Sequence, residues 1–532
     1  LVFGIVAVIV ISTVLSVVAT GNGLAYESDG FYYLSMAHLI STYLGPGEGA
    51  GIGKNLLRQI TKQVAETARR WPPGYPFLLS LMSFSSNSYA AGRRLHLLFP
   101  SAIGILIWLI FRQQRRSLIR AFSAISVILL CPAILVLNWY VFSEMLFLIW
   151  QLLTLLAVGR YLRARNLPSL FLAIACIAIA SLTRYVGVAM AFALALLVWR
   201  INYHRSILQK MKISGGCVLM SILPLCIYLM IPVFADWHFD IAGRSFYYYW
   251  DWDKIFFFSV FSFLNACAFL SPTWSAHAIQ VLFVSYAFIM TIIIIVRQRH
   301  LRRRFPPEDE ALWLQRFILW SALTYVVLIL VCAFFLDPVL GHGITSRIFA
   351  PFFVWLVLLT AINGPAISAG IYNYFSPTKW TPVIVFVLFL VSIYLVGGTL
   401  NAFEHSDMVA RKHKMWDHSQ ALEYIKEKEN GTWVVSNKAC QTFLYSGIFT
   451  LQLPSHFDIV TYQPNKKFSE QMSRLREMLR REKGLVLFFN PYFDYISKGQ
   501  ILQDVTLEEC MDLLDLQVVS LTENCIILSS KS

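Results

Sequence analysis

Long apolar runs separated by short polar gaps dominate residues 1–403. A membrane-crossing helix needs about 20 mostly apolar residues. Runs at 1–20, 95–111, 121–138, 145–159, 168–182, 186–200, 213–235, 276–296, 313–336, 348–362 and 381–401 reach or approach that length. The pattern predicts eleven spans. Beyond residue 403 it changes, and short apolar stretches alternate with charged ones. The spacing there predicts helices over 418–430, 466–483 and 507–514, the first capped by Asp417 and stopped at Gly431. Strands are predicted over 433–436, over 485–489 and around Val518 and Ile526. The expected architecture is an all-α polytopic membrane bundle over 1–403 and a small α/β domain over 404–532.

Composition narrows the class. The chain is 57% hydrophobic and 14% charged, with a mean hydropathy of +0.60, whereas soluble domains carry about a quarter charged residues. A soluble globular protein and a disordered chain are both excluded. The net charge of +14 would suit nucleic acid if it formed a patch on a soluble face. Instead it sits in four clusters: Arg112 to Arg120, Arg160 to Arg165, Arg200 to Lys212 and Arg297 to Arg304, each between apolar runs. The positive-inside rule assigns such loops to the cytoplasm. The tail holds 15 Lys/Arg against 17 Asp/Glu, so the basicity is topological and implies membrane lipids as partners, with no nucleic acid. Keeping all four clusters inside puts the end of the eleventh span, and with it the tail, outside. Residues 1–20 read as a span, since a signal peptide would need a basic n-region and a small-residue cleavage site.

On this threading, residues 21–94, 236–275, 337–347 and the tail face outward. The first loop carries Glu27-Ser28-Asp29, a Gly-rich turn from Gly45 to Gly53, and Trp71-Pro72-Pro73-Gly74-Tyr75-Pro76. Helical spacing of Leu34, Ala37, His38 and Ser41, and of Leu56, Ile60, Gln63 and Val64, predicts helices along the membrane surface. Asp29 at the interface is either a functional carboxylate or a helix cap. Glu144, in Ser143-Glu144 at the next outer turn, is either functional or a dipole-favoured first-turn acid. Arg184, Arg244 and Arg347 are outer cations whose forks fit phosphate oxygens, or which snorkel to headgroups. Tyr247 to Trp252, interleaved with Asp251 and Asp253, suit either a sugar or an interfacial belt. Nine scattered Cys contain no C-x-x-C pair, which argues against zinc.

An acid after the first span, surface helices, Trp-Pro-Pro-Gly-Tyr-Pro, Ser-Glu opening a later span, Thr183-Arg184-Tyr185 and a late Arg347-x-x-x-Pro351 occur in that order. Together they resemble the GT-C superfamily of polyprenyl-phosphate-sugar-dependent glycosyltransferases, in the branch of protein O-mannosyltransferases and lipid A aminoarabinose transferases. The resemblance implies a GT-C-like bundle that transfers a sugar, with inversion, from a polyprenyl-phosphate donor to a hydroxyl of a lipid, glycan or protein acceptor. It implies Asp29 as the base, with Glu144 orienting the acceptor. Arg347 and Arg184, and less directly Arg244, would hold the phosphate, while Trp71, Tyr75 and Tyr33 shape the pocket. Trp71 stands where the aminoarabinose transferases have Lys, and Glu27-Ser28-Asp29 replaces the adjacent acids of the mannosyltransferases, leaving the choice of carboxylate open. Some members use a divalent cation; Asp251-Trp252-Asp253 is the outer Asp-x-Asp here, and no metal ligand is assigned. A bacterial inner membrane is the implied location. A secondary transporter and a non-catalytic assembly component are the competing classes.

Overall fold

The computed structural model describes residues 1–20, 72–83, 88–236, 310–335, 350–362, 419–427, 434–438, 450–456, 468–482, 484–489, 506–522 and 525–531. It also describes Leu24, Gly30, Tyr33, Leu34, Met36, Ala37, Ile40, Ser41, Thr442, Ser446 and Asn465. The runs at 276–296 and 381–401, and the surface helix expected around 54–70, lie outside these residues.

Every other apolar run is helical where described. In chain order the helices are α1 (Val2–Ala19), α2 (Gly74–Ser83), α3 (Ser88–Gln113), α4 (Leu118–Leu129), α5 (Pro132–Trp139), α6 (Glu144–Ala164), α7 (Leu167–Thr183), α8 (Val188–Ile201), α9 (Ile207–Asp236), α10 (Glu310–Phe335) and α11 (Ala350–Ile362). Among the described residues five helices are long and apolar enough to cross a membrane: Val2–Ala19, Ala90–Gln113, Glu144–Ala164, Ile207–Leu229 and Leu312–Ile329. The chain is an integral membrane protein.

One expectation needs correcting. The run 121–138 is not a single helix but α4 and α5, broken at Cys131, whose backbone is extended (φ −64°, ψ 125°). Pro132 explains the break: it lacks the N–H a continuing helix needs and restricts the residue before it to extended conformations. It is instead well suited to the first turn of α5.

The two ends of the bundle differ in chemistry. At one end the Arg163 guanidinium donates to the Gln113 carbonyl, joining the first two basic clusters. Tyr161 lies within electrostatic reach of both Arg165 and Arg205, which brings in the third cluster. Gly4 of α1 packs on Phe122 near this end. The far end of α1 carries Ser16, which accepts a hydrogen bond from the Asn138 amide of α5 (2.7 Å). The three described basic clusters therefore share one end, as the charge pattern predicts.

The tail contains α12 (Gln420–Glu427), β1 (Val434–Ser436), β2 (Thr450–Gln452), α13 (Phe468–Glu482), β3 (Leu485–Phe489), α14 (Leu507–Leu514), β4 (Leu516–Leu521) and β5 (Cys525–Ser530). The sheet order is β2-β1-β3-β5-β4, with β2, β1 and β3 mutually parallel and β5 antiparallel to both its neighbours, β3 and β4. Strand β3 is buried on both faces: Val486 and Phe488 pack with α13 and α14, and Leu485, Leu487 and Phe489 with α12. That two-sided burial is why its sequence is an unbroken apolar run. Strand β2 was not among the expected elements; Thr450-Leu451-Gln452 alternates, but three residues are fewer than the roughly four to eight that make a strand signal.

Candidate active site

The polar end of the bundle is assembled around Glu144. Helix α6 opens at this residue, where the helix dipole favours an acid. Its carboxylate forms an ion pair with Arg184, the residue that follows α7. The Glu144 side chain is 2% exposed and that of Arg184 18%, so the carboxylate is sealed while the arginine is partly exposed. A buried carboxylate is tolerated only with such a partner. Throughout residues 67–235, Glu144 is the sole Asp or Glu in the sequence.

Two glycines fix the chain around Arg184. A Cβ on Gly74 would lie 2.8 Å from the Leu182 carbonyl oxygen, and one on Gly187 would lie 2.6 Å from the Ser181 nitrogen. Both distances are shorter than atoms can approach. Gly74 lets α2 abut the end of α7, and Gly187 lets the 3-10 turn Tyr185–Gly187 fold back onto it. The Trp-Pro-Pro-Gly-Tyr-Pro segment thereby acquires a structural reason for its glycine.

A buried polar chain runs beside the ion pair. The Tyr33 hydroxyl lies 3.1 Å from Ser143 Oγ, and its ring meets Tyr75 edge-on with centroids 5.1 Å apart. The Tyr75 hydroxyl is 2.6 Å from His96 Nε2, and His96 Nδ1 is 3.0 Å from the Asn138 carbonyl oxygen. A carbonyl only accepts, so Nδ1 carries a proton; in the neutral imidazole Nε2 then accepts from Tyr75. Burial pushes the Tyr75 phenol well above its ordinary range, with Tyr33 and Glu144 adding to the shift, so it stays a neutral donor. Tyr75, His96 and Tyr325 of α10 all lie within electrostatic reach of Glu144, and Tyr325 also within reach of Arg184. Seven residues along α6, Gln151 donates to the Pro351 carbonyl (3.0 Å), which ties α11 to the same helix.

Of the residues singled out from sequence, the structure brings together Glu144, Arg184, Tyr33 and Tyr75. Asp29, Trp71, Arg244 and Arg347 lie outside the described residues, as do Asp251 and Asp253. Among the described residues no group of three potential metal ligands occurs. His96, Asn138 and Tyr325 were missed. His96 is flanked by leucine in the helical run Arg94-Leu95-His96-Leu97, where nothing in spacing separates a network histidine from a packing one. The arrangement offers a partly exposed guanidinium anchored by a buried carboxylate, beside phenols held in fixed orientation. Such a site suits a phosphate oxygen.

No protein-family profile and no curated protein matches the sequence. Solved structures do. The crystal structure of ArnT from Cupriavidus metallidurans bound to undecaprenyl phosphate aligns with 99% of this chain and 98% of its own, at a TM-score of 0.55 and 13% identity. The apo form of the same ArnT aligns over 98% and 97%, at a TM-score of 0.46 and 11% identity. The fold is therefore ArnT-like.

Proposed function

We propose that this protein is a membrane glycosyltransferase that takes a sugar from a polyprenyl-phosphate donor and places it on an acceptor hydroxyl at the end of the bundle opposite the arginine clusters. The observation that carries the reading is the Glu144–Arg184 pair at that end. It lies within a fold shared along nearly the whole chain with a protein crystallised with undecaprenyl phosphate.

In this reading Arg184 binds the donor phosphate, and Glu144 holds the guanidinium in place. Arg347 and Arg244 contribute further positive charge on the leaving phosphate, which lowers the barrier as that group departs. Asp29 takes the proton from the acceptor hydroxyl as the oxygen attacks the anomeric carbon from the opposite side. The displacement inverts the sugar and leaves polyprenyl phosphate. Tyr33, Tyr75 and Trp71 line the sugar-binding space. The tail lies on the same outer side as the site, and the membrane is a bacterial inner membrane.

The test is a panel of labelled polyprenyl-phosphate sugars offered to the purified protein in detergent with lipid, glycan and peptide acceptors. Label passing from one donor to an acceptor, with inverted anomeric configuration, supports the proposal. Donors that are bound but never consumed would instead favour a transporter or an assembly component.

A further inference from the structure

At the basic end, α3 closes with a paired backbone turn: the Arg116 N–H donates to the Phe111 carbonyl (2.9 Å) and the Arg115 N–H to that of Arg112 (3.0 Å). This puts Arg115 in the left-handed region, at φ 50°, a conformation in which glycine is favoured. Arg165 takes the same φ at the end of α6. Cations at helix C-termini are favoured by the dipole, which accounts for one guanidinium at each end.

Arg116 and Arg120 need another explanation. Arg120 stands in the first turn of α4, where the dipole disfavours a cation, and the neighbouring Arg116 repels it. Arg116 Nε and Arg120 Nη1 are buried yet have no hydrogen-bond partner in the protein. Among the described side chains no carboxylate pairs with either, and Glu144 belongs to the opposite end. Beside them α4 presents exposed Leu118, Ile119 and Val127, a surface that suits acyl chains.

We infer that Arg116 and Arg120 form a binding site for a phosphate group, that of an anionic phospholipid, in the elbow between α3 and α4. The guanidinium forks supply donors to the phosphate oxygens, and the lipid tails lie along the apolar face of α4. The site is independent of the transfer reaction proposed above and lies at the other end of the bundle.

Native mass spectrometry of the full-length protein tests this, with phosphatidylglycerol and phosphatidylcholine as probes and inorganic phosphate as competitor. The wild type is expected to retain phosphatidylglycerol in preference to phosphatidylcholine, and R116Q/R120Q to retain about tenfold less of it. The charge-matched pair R205Q/K212Q, at the same end, should retain clearly more of the lipid than R116Q/R120Q, since it removes only diffuse attraction that salt screens. Matching elution profiles and melting temperatures establish that each variant is folded. Equal losses from both pairs would mean diffuse attraction and overturn the site. No loss from R116Q/R120Q would also overturn it, since the two arginines would then not hold the lipid. Displacement by millimolar inorganic phosphate would support the anion site but move its source from lipid to solution.

Discussion

Glu144 and Arg184 form an ion pair between the start of α6 and the end of α7, with the carboxylate sealed and the guanidinium partly open. Removing one partner should be worse than removing both. Arg184→Ala strands a buried carboxylate, which costs about 3–5 kcal/mol. The double variant Glu144→Gln/Arg184→Gln leaves two neutral groups and should lose less than Arg184→Gln alone. Thermal unfolding in detergent of the single and double variants measures the coupling. Additive losses would show that the two side chains do not interact.

The glycines beside Arg184 make a second prediction. Gly74→Ala and Gly187→Ala force backbone apart at contacts that cannot relax by rotating a side chain. Each should cost about 1–3 kcal/mol and weaken donor binding by displacing Arg184. Gly215→Ala is the control, because a Cβ there meets nothing within 4 Å. It should leave the protein unchanged or raise its stability by up to about 1 kcal/mol, by removing the helix-interior glycine. Melting temperatures and donor-binding isotherms for the three variants test this. Equal behaviour of all three would contradict it.

Asp515 in the tail faces Arg480 (2.6 Å), Arg476 (3.3 Å) and Lys531 (3.6 Å). Hydrogen bonds from Arg480 and then Arg476 hold its carboxyl below the ordinary value of 3.8. A depressed folded-state value means that the unfolded chain binds the proton more readily. The contribution to stability is therefore complete above the ordinary value and is lost as pH falls through the lower, folded one. Asp515→Asn should reduce protection of β4 and β5 against hydrogen exchange near neutral pH and make no further difference once the wild-type carboxyl is protonated. The same deficit at every pH would rule out a charge-based contribution.

Much of this architecture is legible in the residue pattern because burial and period coincide. The run 145–159 is continuous and apolar and lies within α6. The charged helix and apolar strand expected at 466–483 and 485–489 correspond to α13 and β3 within a few residues. The failures have equally local causes. Pro132 cuts a run that hydropathy alone reads as continuous, although its missing N–H was visible in the sequence. Candidate residues were legible where charge is scarce: a lone Glu144 and Arg184 stand out against an apolar background. Their pairing was not legible, because it depends on how α6 and α7 dock, and the sequence reading gave the two residues separate roles. His96 and Asn138 were hidden for the opposite reason. Each lies within an apolar helix, and only its partners across the bundle, Tyr75 and Ser16, distinguish it from packing.

The central claim is that a carboxylate following the first span acts as the base of sugar transfer. The direct measurement is the rate of transfer from the accepted polyprenyl-phosphate sugar by wild type and by Asp29→Asn, together with donor affinity and melting temperature. The account predicts a loss of at least about a hundredfold in rate, the scale of general-base catalysis, with affinity and melting temperature retained. An Asp29→Asn variant that turns over at the wild-type rate would contradict it.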